Sequence, residues 1–326
     1  MNVITAADDL REFLENYPGH LACVHSVFPH AANLLVREDE LITLTNQDDI
    51  TPMGLLVDNR VSFAQHLKPG DKLVLDVHQL TSTNGIFEVN LQGAELWQTS
   101  PWMKLIPRPI EEVAKLNYQL RKWLLKQPSV GLLPVLPRLR HCLANSALVE
   151  DNLYSRYIAD DLETFTIAIQ TSDWEHALKI ADHLVGFGMG STPACDDFLA
   201  AYLVIFKIAD VLNPGRFPWI RDFNAAIANK AKKRTTLVSA NMLRHAGDGK
   251  TGRSYQKLIQ TCLFKEKNDL EYSASQVLEH GATSGGDFLF GLVCALEWYR
   301  NTLINYPKEG EKAWVESSGL QSVPTI

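Results

Sequence analysis

The stretch KLVLDVHQLTSTNGIFEVNLQGAELW, residues 72–97, followed by PIEEVAKLNYQLRKWLLK, residues 109–126, decides the fold class, because the apolar period changes between them. The first part is rich in β-favouring residues, and Thr83-Asn84-Gly85 divides it; Asn and Gly tolerate the positive φ of a tight turn, so a hairpin is expected. The second part carries Val113, Leu116, Leu120, Trp123 and Leu124 at the spacing of one helical face. Toward the N-terminus, LACVHSVF, AANLLV, LITLT and GLLV continue the β pattern from Leu21, with turns at Pro29, Gly54 and Lys68-Pro69-Gly70-Asp71. Toward the C-terminus, helices are expected at 173–185, 196–212, 218–231, 235–246, 254–264 and 286–304. The expected class is therefore α+β. A mostly antiparallel sheet or small barrel occupies 1–105, an all-helical domain 106–306 and a tail 307–326, with Pro128, Pro134 and Pro137 marking an irregular linker.

The chain has 326 residues, 46% hydrophobic and 21% charged, which suits two globular domains or one large one and excludes disorder for most of its length. Lys and Arg number 31 against 38 Asp and Glu, a formal charge of −7 with no long basic run, so no nucleic-acid partner is expected. Cys23, Cys142, Cys195, Cys262 and Cys294 are widely spaced and form no C-x-x-C pair. They read as reduced thiols of a cytoplasmic protein. The acidic N-terminus MNVITAADDLREF is not an export signal, and the apolar runs near 198–212 and 288–299 are too short and too interrupted to span a membrane.

Two glycine loops carry the functional signal. In Val185-Gly186-Phe187-Gly188-Met189-Gly190-Ser191-Thr192-Pro193-Ala194-Cys195-Asp196-Asp197, alternate glycines let the backbone approach a ligand, Thr192 is a natural N-cap and Pro193 a natural first helical residue. His280-Gly281-Ala282-Thr283-Ser284-Gly285-Gly286-Asp287 repeats the design, with Thr283 as cap and Asp287 four residues beyond it, as Asp196 is beyond Thr192. Both helices continue almost wholly apolar and must be buried. Ala200, Ala201, Gly291 and Ala295 would let their axes come close, so the two helix starts are expected to meet at one pocket. Free N–H groups and the positive end of the dipole favour an anion there. Asp196, Asp197 and Asp287 would repel that anion unless they bind a cation, an amine or sugar hydroxyls, or point away. A phosphorylated substrate, with or without Mg²⁺ on these three carboxylates, reconciles both features. The plainer alternative is that the carboxylates complement helix dipoles and the glycines allow close packing.

Smaller candidates surround these loops. Arg234, at a helix start in Lys233-Arg234-Thr235-Thr236, offers a guanidinium to an anion, or is an ordinary basic residue with Thr235 as cap. Gly247-Asp248-Gly249-Lys250-Thr251 ends like a P-loop, but Arg244 stands where the first glycine belongs and a helix precedes it, so that reading is rejected. His25 and Ser26, with Asn33 beyond the turn, form a polar cluster on a strand that faces the helical half or is simply a surface group. Cys195 at a helix start lacks a nearby His and is not expected to be a nucleophile.

These residues together resemble the AllH-like family. The resemblance rests on His25-Ser26-Val27-Phe28 with Asn33-Leu34, the loop and Asp pair at 186–197, Arg234-Thr235-Thr236 with Ser239, and the Gly281 to Gly291 segment, and covers most of residues 20–300. Ser191 stands where Leu is usual and Ala201 where Gly often occurs; neither removes an Asp or a loop glycine. The resemblance implies a subunit of oxamate carbamoyltransferase acting beside FdrA-like and AllG-like partners in allantoin and purine breakdown, moving a carbamoyl group between carbamoyl phosphate and oxamate. In that role Gly186, Gly188, Gly190, Thr192, Thr283, Gly285 and Gly286 would hold the small anionic substrate, with Arg234, His25 and Ser26 as further ligand contacts. Asp196, Asp197 and Asp287 would be the catalytic groups. Two rivals remain: a stand-alone Mg²⁺-dependent hydrolase built on the Asp cluster, and a non-catalytic assembly subunit.

Overall fold

A computed structural model describes residues 1–47, 49–58, 62–139 and 152–305; the expected tail and Cys142 lie outside the described residues. The N-terminal half is a nine-stranded sheet curled into a half-barrel, ordered β8-β7-β6-β2-β3-β4-β5-β1-β9. Its strands are β1 (Val3–Ala7), β2 (His20–Val27), β3 (Ala31–Arg37), β4 (Glu40–Thr45), β5 (Gly54–Val57), β6 (Lys72–Leu75), β7 (Gln79–Ser82), β8 (Glu88–Asn90) and β9 (Glu95–Trp97). The expected hairpin joins β7 to β8 across Asn84-Gly85, with Gly85 at φ +72. Pairing is antiparallel except for β4 with β5 and β1 with β9. The curl brings the sheet's ends together, where Asn90 N–H donates to the Met1 carbonyl at 2.8 Å.

Several elements differ from the sequence reading. VLDVHQL is two strands, split where the Asp76 N–H bonds back to the Gln79 carbonyl at 2.9 Å. The N-terminal segment forms β1 and α1 (Asp8–Asn16), which buries Leu10, Phe13 and Leu14 in the core of the sheet half, in one cluster with Phe63 and Leu73.

The second half is helical: α2 (Ile110–Leu124), α3 (Leu153–Gln170), α4 (Trp174–Leu184), α5 (Ala194–Leu212), α6 (Ile220–Arg234), α7 (Leu237–Gly247), α8 (Arg253–Leu263), α9 (Leu270–Leu278) and α10 (Ser284–Asn305). Helices α3 and α9 were not anticipated. α3 opens on a capping box in which Asn152 and Ser155 bond reciprocally, a chemistry outside the usual Ser/Thr-x-x-Glu signature. α5 and α10 form the most extensive helix pair and the centre of the core. Gly291 permits their close approach: a Cβ there would meet the Phe198 carbonyl oxygen and lie 3.0 Å from the Ala201 methyl. No helix among the described residues is long and apolar enough to cross a membrane.

Candidate active site

The two glycine loops meet, as their matching design implied. Thr192 Oγ1, just before α5, lies 2.9 Å from Ser284 Oγ at the start of α10. Thr192 is not the helix cap, however. α5 begins one residue later than that role needs, with Pro193 in the cap position, and the Thr192 hydroxyl is turned toward α10.

The three carboxylates divide into three roles. Asp196 is saturated by protein: Oδ1 accepts from the Gly186 N–H at 2.8 Å, and Oδ2 from Thr235 Oγ1 at 2.5 Å and Ser239 Oγ at 2.7 Å. It ties the first loop to the α6–α7 junction. Asp287 faces the linker, where its Oδ1 accepts from the Leu132 N–H at 2.6 Å. Asp197 alone of the three joins a cavity wall; it is 3% exposed, and its Oδ2, like that of Asp287, has no hydrogen-bond partner. A Mg²⁺ ion does not fit this arrangement. Asp196 has no free oxygen, and among the described residues no group of three or more His, Cys, Asp or Glu is placed to hold a metal.

Most of the loop glycines serve packing. A Cβ on Gly186 would meet the Arg234 carbonyl oxygen, one on Gly188 the Ala194 nitrogen, and one on Gly285 the Val277 carbonyl oxygen, while Gly286 abuts Leu133 at 3.2 Å. Gly190 alone of these five is open on its Cβ side. Arg234 is the last residue of α6 instead of a helix start, half-exposed, with Asp182 at 3.9 Å, and the cap of α7 is Thr236, not Thr235. His25 is exposed and bonds to Ser26; Ser26 in turn accepts from Asn33 Nδ2 at 2.9 Å, one bond behind the cavity wall. Thr283 hydrogen-bonds the Asp287 carboxyl instead of reaching the cavity.

The cavity itself, about 340 Å³, lies between the sheet and the helices. Asn33 and Thr43 form one wall. The other is built from the starts of four helices: Ser191 and Thr192 before α5, Val238 on α7, Gly252 before α8 and Ser284 on α10. Each helix start carries the positive end of a dipole, so their convergence makes a field suited to an anion, while the first-turn N–H groups of Cys195, Ser239, Ser254 and Gly285 are already bonded within the protein. Lys250 adds a cation, held by Asp9 at 2.7 Å. His245 contributes a neutral ring. Burial, then the nearby Arg244 and Lys250 charges, push its pKa down to about 3.

The halves are clasped around this space. Asn241 on α7 accepts from the Leu41 N–H at 3.1 Å and donates to the Asp39 carbonyl at 2.8 Å. Asp49 accepts from both the N–H and the hydroxyl of Ser254, each at 3.0 Å, and lies 3.5 Å from His280 Nδ1. Sequence reasoning missed Asp49, Asn241 and His280. Lys250 and Thr251 belong to the rejected P-loop look-alike and reach the cavity for a different reason, as the turn leading into α8.

Burial dominates the electrostatics. It pushes the Asp197 carboxyl well above its ordinary range, the Ser284 and Thr192 hydroxyls opposing and the neighbouring Asp287 and Asp196 charges reinforcing it. It raises Asp287 from 3.8 to about 7, against the Leu132 N–H and the Thr283 hydroxyl. A carboxyl that binds its proton more tightly when folded stabilises the fold most at low pH, and this stabilisation is lost as pH rises from about 4 through about 7. Relative to Asp287→Asn, which cannot ionise, the wild type should therefore lose about 3 kcal/mol of unfolding free energy between about pH 5 and about pH 8. Urea denaturation of both proteins at the two pH values measures this difference; parallel curves would mean that Asp287 does not titrate there.

A sheet half and a helical half, each with its own hydrophobic core, meeting at a small cavity lined by helix starts, is the class that this fold and site define. The chain belongs to the AllH family: residues 2–96 match the AllH family N-terminal domain, and residues 184–296 match the family described as oxamate carbamoyltransferase subunit AllH. No solved structure matches the chain.

Proposed function

We propose that the junction cavity is the substrate site of an oxamate carbamoyltransferase subunit, and that it holds a small anion such as carbamoyl phosphate or oxamate during carbamoyl transfer to give oxalurate and phosphate. The convergence of four helix starts on one cavity carries this reading, because it aims the positive ends of four helix dipoles where a carboxylate or phosphate needs them. Its volume of about 340 Å³ suits small molecules instead of a polymer. The reading replaces the glycine loops as direct ligand cradles with the groups that the loops position: Ser191, Thr192, Asp197, Gly281 and Ser284.

A group proposed to bind the departing phosphate must hold charge as the C–O bond breaks, and dipoles fixed in advance do so without reorganisation. Asp197 does not oppose the anion, because burial favours its neutral form. FdrA-like and AllG-like subunits in the cytoplasm remain the proposed partners, in keeping with a family described as a subunit. The Mg²⁺-hydrolase reading loses its support with the scattered carboxylates.

Calorimetric titration of the full chain with oxamate and with inorganic phosphate tests the proposal. Binding is expected, and Val238→Phe, which fills part of the cavity from the start of α7, should weaken it at least about tenfold, or about 1.4 kcal/mol. Unchanged binding in Val238→Phe would move the ligand elsewhere and end this reading.

A further inference from the structure

One group in the cavity wall is left unsatisfied by the protein. Asp197 is 3% exposed and Oδ2 has no partner, whereas Asp196 beside it accepts three hydrogen bonds. The Thr192 and Ser284 hydroxyls flank the carboxyl and fix its orientation against the cavity. Buried polar atoms without partners are uncommon and costly, so a spare oxygen in a cavity wall marks a place where a guest completes the bonding.

The chemistry of that guest follows from the carboxyl's protonation. Burial, with the neighbouring Asp287 and Asp196 charges, favours the protonated form of Asp197, which offers one donor and one acceptor side by side. A carboxylate or phosphate oxygen has only acceptors to give in return and makes one bond. An ammonium has only donors. A primary carboxamide has a carbonyl acceptor and an N–H donor in one plane at the matching separation, and makes both bonds.

We propose that Asp197 recognises a primary carboxamide, giving its proton to the amide oxygen in a hydrogen bond and accepting an amide N–H on its other oxygen. This rests on the cavity being the substrate site. Oxamate carries such a group opposite its carboxylate, so the amide would sit at the junction of α5 and α10 and the carboxylate toward the starts of α7 and α8. Asp197 thereby becomes the residue that separates an amide acid from a diacid.

Oxamate and oxalate share one carboxylate and differ at the amide, which makes them the discriminating pair. In calorimetric titrations of the full chain at about pH 6, the wild type should prefer oxamate by at least about tenfold. Asp197→Asn retains a donor and an acceptor and should keep the preference; Asp197→Leu, of similar size, should lose it. Equal binding of the two acids by the wild type, or loss of the preference in Asp197→Asn, overturns the assignment whether or not the leucine variant folds. Binding of neither acid overturns the substrate-site reading itself, while binding of both without preference leaves that reading standing and removes only the carboxamide.

Discussion

Asp196→Ala is expected to destabilise the protein by about 3 kcal/mol, read as a lower urea midpoint with an unchanged slope. Three donors depend on this carboxyl, the Gly186 N–H and the hydroxyls of Thr235 and Ser239, and the residue is fully buried. Removing it strands a backbone N–H and two hydroxyls around a void. The opposing effect is relief from burying a carboxyl, which raises its pKa. The hydrogen bonds win because three donors lose their acceptor at once, and each stranded buried group costs about 1–3 kcal/mol. Asp196→Asn keeps one acceptor and should cost less than half as much. An alanine variant as stable as the wild type would show that the first loop does not need its tie to α6 and α7.

Gly291→Ala should also destabilise, by about 3 kcal/mol, against the direction of helix propensity. In a helix interior that exchange normally gains about 1 kcal/mol, because alanine loses less backbone freedom on folding. Here the added methyl meets the Phe198 carbonyl oxygen and the Ala201 methyl, both on α5, and both helices are rigidly packed along their length. The axes must part, opening the core around Phe198 and Phe290, whose rings lie 5.0 Å apart. Gly190→Ala is the control: nothing lies within 4 Å of its added Cβ, so only the strain of φ +96 is felt, about 1 kcal/mol. A thermal melt in which Gly291→Ala equals or exceeds the wild type would refute the close approach of α5 and α10.

The β-then-α order was legible because apolar period is local information, and the hairpin at Asn84-Gly85 because its turn chemistry is local too. The parallel pairings were not: β1 and β9 are far apart in sequence, and the direction of β4 against β5, though they are near in the chain, is fixed by their antiparallel pairing with β3 and β1 on the outer sides. α3 escaped because β-branched and aromatic residues such as Ile158, Phe165, Thr166 and Ile169 weaken its local helical signal, and tertiary burial supplies the rest. At the site, the pairing of the two loops was readable from their common pattern. The division of labour among Asp196, Asp197 and Asp287 was not. All three occupy similar places in a first helical turn, and only the partners brought in by folding, Ser239, Leu132 and the cavity, tell them apart. Asp49 shows the same limit most plainly, because the helix it caps begins about two hundred residues later in the chain.

The clasp formed by Asn241, Asp49 and Lys250 makes the pocket a joint product of two separately packed cores. Grafting a foreign sheet, cut before Trp102, onto these helices would keep the floor of helix starts while exchanging the ceiling that bears Asn33 and Thr43. Selectivity could thus diverge through the first hundred residues without disturbing α5 and α10, giving an engineer a modular handle on which acids the pocket admits.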